Sequence, residues 1–318
     1  MTAPHLLIPF AGRSTPACTA ALADLRLPNL EALLARLTLT ADDTQDDTTL
    51  SPPHERVLAR ALDLPDADGG IPWAALQARR TGLAPVDGDW ALITLCHWEV
   101  DVDDVVLGDP EAMTIDAAES DALLEAARPF FQEDGIALHA SAAPGRWLAC
   151  GPVLAGLPTA SIDRVINGPI SQWAPKGDGA RTLRRLQNEM QMLLYTERVN
   201  DERTARGVPP INSFWLSGTG ALPAGPAADS AADAPTVIDT LRRAALHDDG
   251  AAWAEAWRAL DAGPLVELLA AHSRGETVAL TLCGDRAAQR FTSEKRAFGR
   301  WVKGLFGRQP ASTVLGAL

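Results

Sequence analysis

The run LQNEMQMLLYTERVNDERTARGVPPINSFWLSGTG, residues 186–220, constrains the fold more than any other. A helical pattern from about Ala180 to Thr196 gives way to a further turn or two from Asn200 to Ala205. Gly207 and the pair Pro209–Pro210 then break it. The chain resumes as an apolar strand carrying Trp215 and closing on Ser-Gly-Thr-Gly. A helix that hands over to a buried strand within a few residues is the repeating unit of α/β proteins.

The same alternation runs along the whole chain. HLLIPF predicts an opening buried strand, and LPNLEALLARL a short helix with leucines at helical spacing. TADDTQDDTTLSPPHE reads as an acidic, Thr/Pro-rich loop, followed by short helices in ERVLARALDL and PWAALQARRTGL. Val100 and Val102 alternate with Asp101 and Asp103, as in a strand with one wet face. TIDAAESDALLEAARPFFQEDG predicts a helix capped by Asp116 and kinked or ended at Pro129. GIALHASAAPGRWLACG predicts a β-hairpin. ALPAGPAADSAADAPT marks an exposed connection before the helices TVIDTLRRAALHD, AAWAEAWRALDAG and PLVELLAAHSRG and a last strand, TVALTLCG. Strands separated by helices throughout predict an α/β fold.

Residues 290–308 differ from the rest. Arg290, Lys295, Arg296, Arg300, Lys303 and Arg308 face Glu294 alone, and Phe298, Trp301, Val302, Leu305 and Phe306 recur at helical spacing. This predicts a basic amphipathic C-terminal helix, docked on the acidic body or serving a protein partner or a membrane surface. The net charge of −13 excludes nucleic acid as an expected partner of the body. No apolar run nears the roughly 20 residues of a transmembrane segment, and the N-terminal stretch lacks the basic region of a secretory signal. Cys18, Cys96, Cys150 and Cys283 lie far apart, which fits buried thiols in a reducing cytosol and predicts a cytoplasmic protein.

Motifs for chemistry are sparse. LSGTG lacks the spacing of a serine-hydrolase elbow, no phosphate-binding Walker loop is present, and GTGALPAG precedes no helix of the dinucleotide type. DVDDVVLGDP offers carboxylates without the glycine and late glutamate of a calcium loop. The histidines His5, His54, His97, His139, His247 and His272 form no local metal-ligand pair.

Residues 90–220 nevertheless resemble the archaeal-type, cofactor-independent phosphoglycerate mutases of the alkaline-phosphatase superfamily. The resemblance runs through ALITLCHWEVDVDDVVLGDP, IDAAESDALLEAARPFF and RWLACGPVLAGLPTASID, and above all through VNDERTARGVPPINSFWLSGTG. The whole chain looks closer still to a bacterial group described both as phosphoglycerate mutases and as regulatory proteins of the "regulation of pathogenicity factors E" type. The resemblance implies an alkaline-phosphatase-like core sheet flanked by helices, with an inserted α+β domain. The expected division is 1–85 and 201–290 for the two parts of the core, 86–200 for the insertion, and 291–318 for the basic helix and tail.

The same resemblance shows what is missing. No carboxylate follows the first strand, although Ser14 and Thr15 lie near the place of a nucleophile. LTLCGDRAAQ keeps Gly284 and Asp285 but has Arg286 where such enzymes place a histidine. Two-metal phosphoryl transfer needs several Asp and His ligands around cations about 4 Å apart, whereas an arginine grips phosphate without activating it. The expectation is therefore a non-catalytic relative, a pseudoenzyme with a regulatory or phosphometabolite-binding role. It has no catalytic residue, metal ligand or cofactor, and its partners are a phosphorylated small molecule or a protein bound by the C-terminal helix. Candidate ligand-binding residues are Asn200, Arg203, Asn212, Ser213, Trp215, Ser217 and Thr219, with Asp285 and Arg286 at the last strand. The alternative is a manganese- or magnesium-dependent mutase or phosphatase, which would gather Asp101, Asp103, Asp285, His97 and His139 on the metal.

Overall fold

Burial of the short apolar run near the N-terminus decides how the sheet is seeded: it forms β1 (His5–Ile8), in a computed structural model that describes residues 4–85, 88–101, 104–177, 179–223, 234–293 and 310–318. The chain makes two units, one of Met1–Thr48, Pro52–Asp63 and Ala227–Leu318, the other of Thr49–Ser51 and Leu64–Pro226. In chain order, the first unit has β1, α1 (Pro16–Asp24), α2 (Pro28–Leu34), β2 (Thr38–Thr44) and α3 (Pro53–Ala61). The second has α4 (Trp73–Arg80), β3 (Trp90–Cys96), β4 (Trp98–Val100), β5 (Val105–Leu107), α5 (Ala117–Glu133), β6 (Ala137–Ala140) and β7 (Arg146–Cys150). It continues with α6 (Ile162–Val165), α7 (Ile170–Trp173), α8 (Ala180–Thr196), α9 (Arg198–Ala205) and β8 (Ser213–Gly220). The first unit resumes with β9 (Thr236–Val237), α10 (Arg242–Leu246), α11 (Gly250–Ala262), α12 (Pro264–Ser273), β10 (Ala279–Cys283), β11 (Ala287–Thr292) and α13 (Ala311–Gly316).

The fold is mixed α/β. The first unit's sheet runs β2-β11-β10-β1-β9, with β1 parallel to β10 and β9 and the remaining pairs antiparallel. Leu7, Ile8, Leu280 and Leu282 are fully buried in its two central strands, which read as continuous apolar runs because both faces are covered. The second unit's sheet, β6-β7-β3-β8, is antiparallel throughout. Its core joins Ile93, Leu95, Trp147 and Phe214 of the sheet to Leu123, Phe131, Leu186 and Met190 of α5 and α8. Among the described residues no helix is long and apolar enough to cross a membrane.

Several expectations are corrected. The acidic stretch after Leu37 is partly a strand, β2, because β11 offers it a ladder and the threonines suit a pleat; its aspartates blunt the exposed edge. α5 runs through Pro129 to Glu133, since burial of Leu123, Leu124, Ala127 and Phe131 holds both halves on one core. Arg290, Phe291 and Thr292 are not helical: they extend β11, with Phe291 buried opposite Leu280. The rest of the predicted basic helix, 294–309, lies outside the described residues. Residues 213–220, assigned above to the core, instead form β8 and pair with β3 in the second unit.

His5 sits within β1 and bonds Thr281 Oγ1 at 2.9 Å. Burial, aided by Arg290, lowers its pKa from the ordinary 6.5 to about 4. The unfolded chain therefore binds the proton more readily between these values. The stabilising contribution is complete above pH 6.5 and is lost as pH falls towards 4. Urea titrations across that window should show a shallower pH dependence for His5→Gln than for the parent; identical slopes would refute the assignment.

Candidate functional site

In the first unit, the chain leaves the carboxyl end of β1 in an enforced path. Phe10 adopts a left-handed backbone (φ 56°), and the indole N–H groups of Trp253 and Trp257 donate to the carbonyls of Phe10 (3.0 Å) and Ala11 (3.2 Å). These tryptophans lie one helical turn apart on α11, so one buried helix face dictates the loop. The loop then enters α1 with Pro16 in the first turn and no side-chain cap of its own. The cap comes from elsewhere: the Asp248 carboxylate accepts from the N–H groups of Ala17 and Cys18, both at 3.1 Å. Desolvation works to raise the Asp248 pKa, but the Thr15 side chain and then these N–H groups outweigh it and hold the carboxyl below its ordinary range. Asp261 caps α2 in the same way, accepting from Leu30 N–H at 2.8 Å and Asn29 N–H at 3.2 Å.

Asp285, in the turn after β10, closes the other side of the loop. It accepts from the N–H (2.8 Å) and the hydroxyl (2.6 Å) of Ser14 and pairs with Arg13. Arg286 points its exposed side chain to solvent, while its N–H and that of Ala287 donate to Leu318 O at 2.9 and 2.8 Å. Segment 311–318 thereby lies over the loop. A methyl group on Gly12 would stand 2.1 Å from Leu315 O, and one on Gly284 would stand 2.5 Å from Leu318 Cβ.

This donor set does not fit a pair of divalent cations. The Asp285 carboxylate is already taken by a guanidinium and a serine, and Arg286 adds positive charge beside it. Ser14, the candidate nucleophile by position, turns its hydroxyl into the same carboxylate. Cys18 is no substitute, because burial first of all raises its thiol pKa.

Five of the seven candidates of the second unit, Asn200, Arg203, Asn212, Trp215 and Thr219, form a structural lock. Arg203 is 1% exposed and donates to Pro209 O (2.9 Å), Met113 O (2.7 Å) and Glu119 Oε2 (2.8 Å). Glu119 also pairs with Arg206 and completes the capping box of α5 with Asp116. Asn200 donates to Leu194 O and Ile211 O and accepts from Ile211 N–H. Asn212 stitches both backbone groups of Trp98, and Trp215 donates to Ala160 O. Thr219 donates to Leu157 O at 2.6 Å. Ser213 and Ser217 are buried in β8, and the Ser213 hydroxyl has no partner among the described residues. Asn200, Arg203, Asn212, Trp215 and Thr219 thus satisfy backbone groups around a helix–loop–strand junction. Asp285 and Arg286 belong to the other unit.

The metal ligands of the enzyme alternative are not gathered either. His97 bonds Pro210 O at 2.7 Å, and His139 lies on the edge strand β6 against Trp90, its pKa lowered by burial and by Arg128. Asp101 sits in the β4–β5 turn, and Asp103 lies outside the described residues. All four cysteines are buried free thiols. Sequence reading missed Arg13, Asp248 and Asp261, whose partners are more than 200 residues away in the chain. Asp116-x-x-Glu119 carried a capping-box signal, but nothing local pointed to its arginines.

No protein-family model matches the chain, and no curated protein matches it. Among solved structures it is similar to the cofactor-independent phosphoglycerate mutase from Thermoplasma acidophilum DSM 1728. The two share 15% identity over 99% of this chain and 98% of that one, with a TM-score of 0.37. It is also similar to the PH0037 protein from Pyrococcus horikoshii, at 14% identity over 92% and 88% of the two chains and a TM-score of 0.47.

Replacing Arg203 by Leu leaves Glu119 with only the half-exposed Arg206 as ion partner and deprives the Met113 and Pro209 carbonyls of their donor, and should cost about 1–3 kcal/mol in chemical denaturation. Full stability in that variant would show that Arg203 is no structural clamp. Gly284→Ala should displace segment 311–318, seen as faster amide exchange there than in the parent, at a cost of about 1–3 kcal/mol. Unchanged protection would contradict the close packing.

Proposed function

We propose that the chain is a phosphoglycerate-mutase-like protein, of alkaline-phosphatase-like build, that does not turn over phosphoglycerates and acts as a regulatory, phosphometabolite-responsive protein of the cytoplasm. The observation that carries this reading is the loop after β1. The helix N-terminus that would receive a phosphate is capped by Asp248, and the serine that would attack it is bonded to Asp285. Internal carboxylates hold the donors that transferring phosphate would need. Phosphoryl transfer works by placing cationic and hydrogen-bonding groups where charge develops. A site whose donors are already neutralised supplies none of that at the transition state.

Arg286 is the exposed exception at this end of the sheet. Its guanidinium is suited to grip a phosphate by a two-pronged contact without activating it. That chemistry fits sensing better than turnover.

Purified protein assayed with 2- and 3-phosphoglycerate and added manganese should give no interconversion above the protein-free blank. Isothermal titration with 3-phosphoglycerate should show binding that is indifferent to manganese and absent in Arg286→Ala. Manganese-dependent turnover would overturn the proposal.

A further inference from the structure

The free side of β6, an edge strand of the second unit, is open. Among the described residues β6 pairs with β7 alone, in a regular register from Ala137↔Cys150 to Ala140↔Trp147. Just beyond the strand, Ser141 N–H donates to Arg146 O, which fixes the phase of the ladder. Ala137 and His139 therefore turn their backbone groups towards β7, and Leu138 and Ala140 turn theirs outward. Leu138 O is met by Arg128 Nη1 at 2.8 Å. The N–H groups of Leu138 and Ala140 have no partner among the described residues. Its shortness aside, β6 carries none of the devices that blunt an edge: no lysine, no proline and no bulge.

A groove runs along this open side. It encloses about 740 Å³ and is lined by the whole of β6, by Leu83 and by an outer stripe of α5. Leu124, Ile136 and Leu138 supply much of its apolar lining. On α5, Asp121, Glu125 and Arg128 recur at helical spacing, and Arg128 pairs with Glu125 at 2.7 Å. Asp121 is exposed and has no ion-pair partner among the described residues. Burial, and then Arg128, lower the pKa of His139, so this side chain adds no positive charge at neutral pH. The groove thus joins an apolar lining, open backbone donors and one uncompensated carboxylate.

We propose that this groove takes an extended, apolar segment of a partner protein as an added strand beside β6, with one lysine or arginine of that segment against Asp121. Backbone geometry, lining and charge together select this occupant. The open N–H groups lie two residues apart on a strand, a repeat of roughly 7 Å that the carbonyls of another extended chain match. The apolar lining receives alternate side chains of such a strand. The carboxylate of Asp121, on a chain of net charge −13, selects a basic side chain. A second copy fits less well. Joining two β6 edges antiparallel about a two-fold axis sets both α5 helices on one sheet face, carboxylates towards carboxylates. The inference is independent of the phosphometabolite reading, which concerns the other unit.

The test is a titration of the full chain, isotopically labelled for amide NMR, with a capped synthetic nonapeptide of alternating valine and threonine that carries one central lysine. The expected result is a saturable shift of the Leu138 and Ala140 amide resonances. Asp121→Lys should weaken the apparent affinity by at least about tenfold, and so should glutamate in place of the peptide's lysine. Ala140→Pro removes an outward N–H that takes no part in the ladder to β7, and should weaken binding by a similar factor. Circular dichroism should show Asp121→Lys folded, because the position is exposed. The same peptide methylated at every amide nitrogen keeps its side chains but cannot pair with a strand edge, and should leave both resonances unmoved. Unmoved resonances at millimolar lysine peptide overturn the proposal, as does an equal response to the methylated or the glutamate peptide. A shift with protein concentration alone would assign the edge to a second copy of this chain and overturn it too.

Discussion

A helix begins with backbone N–H groups that no residue of the helix can satisfy, and the first unit is organised around meeting that need from a distance. α1 and α2 both open with proline, and neither carries a capping side chain of its own. Their caps are Asp248, just before α11, and Asp261, in its last turn, more than 200 residues later. The same helix supplies the indoles that hold the carbonyls after β1. One element of the C-terminal half thus fixes the N-terminal loop at several points. The donors at the start of both helices are thereby satisfied within the unit.

How far the sequence could be read follows from where each interaction lies along the chain. β1, β8 and β10 were visible as apolar runs, and α8 and α11 as amphipathic periods, because those signals are local. β2 was not visible, since an acidic, threonine-rich edge strand resembles a loop until its partner is known. Arg290 was counted with the cations of the C-terminal helix, and only the pairing of β11 with β10 places it in a strand. The candidate site was the least legible part. Asn200, Arg203 and Asn212 were singled out for their polar side chains, but polarity does not say whether a group faces a ligand or a carbonyl, and here they face carbonyls.

That outcome gives the Asn-x-x-Arg and Pro-Pro stretch a physical meaning apart from catalysis. Arg203 reaches three separate acceptors on α5, the turn before it and the loop after α9. A buried guanidinium so placed is hard to replace, since its loss leaves two buried carbonyls without a donor and weakens the neutralisation of Glu119. Losing such a residue disturbs the junction whatever the chain does. A resemblance resting on such residues speaks first to architecture.

Gly12 and Gly284 carry a consequence beyond this molecule. The terminal segment, with Leu315 against Gly12 and Leu318 against Gly284, lies so near that neither position admits even a methyl group. In a related sequence, any larger residue at either place reports that this helix is housed elsewhere and that the strand ends stand open to solvent. Two letters, read by eye, separate sealed members of such a lineage from open ones.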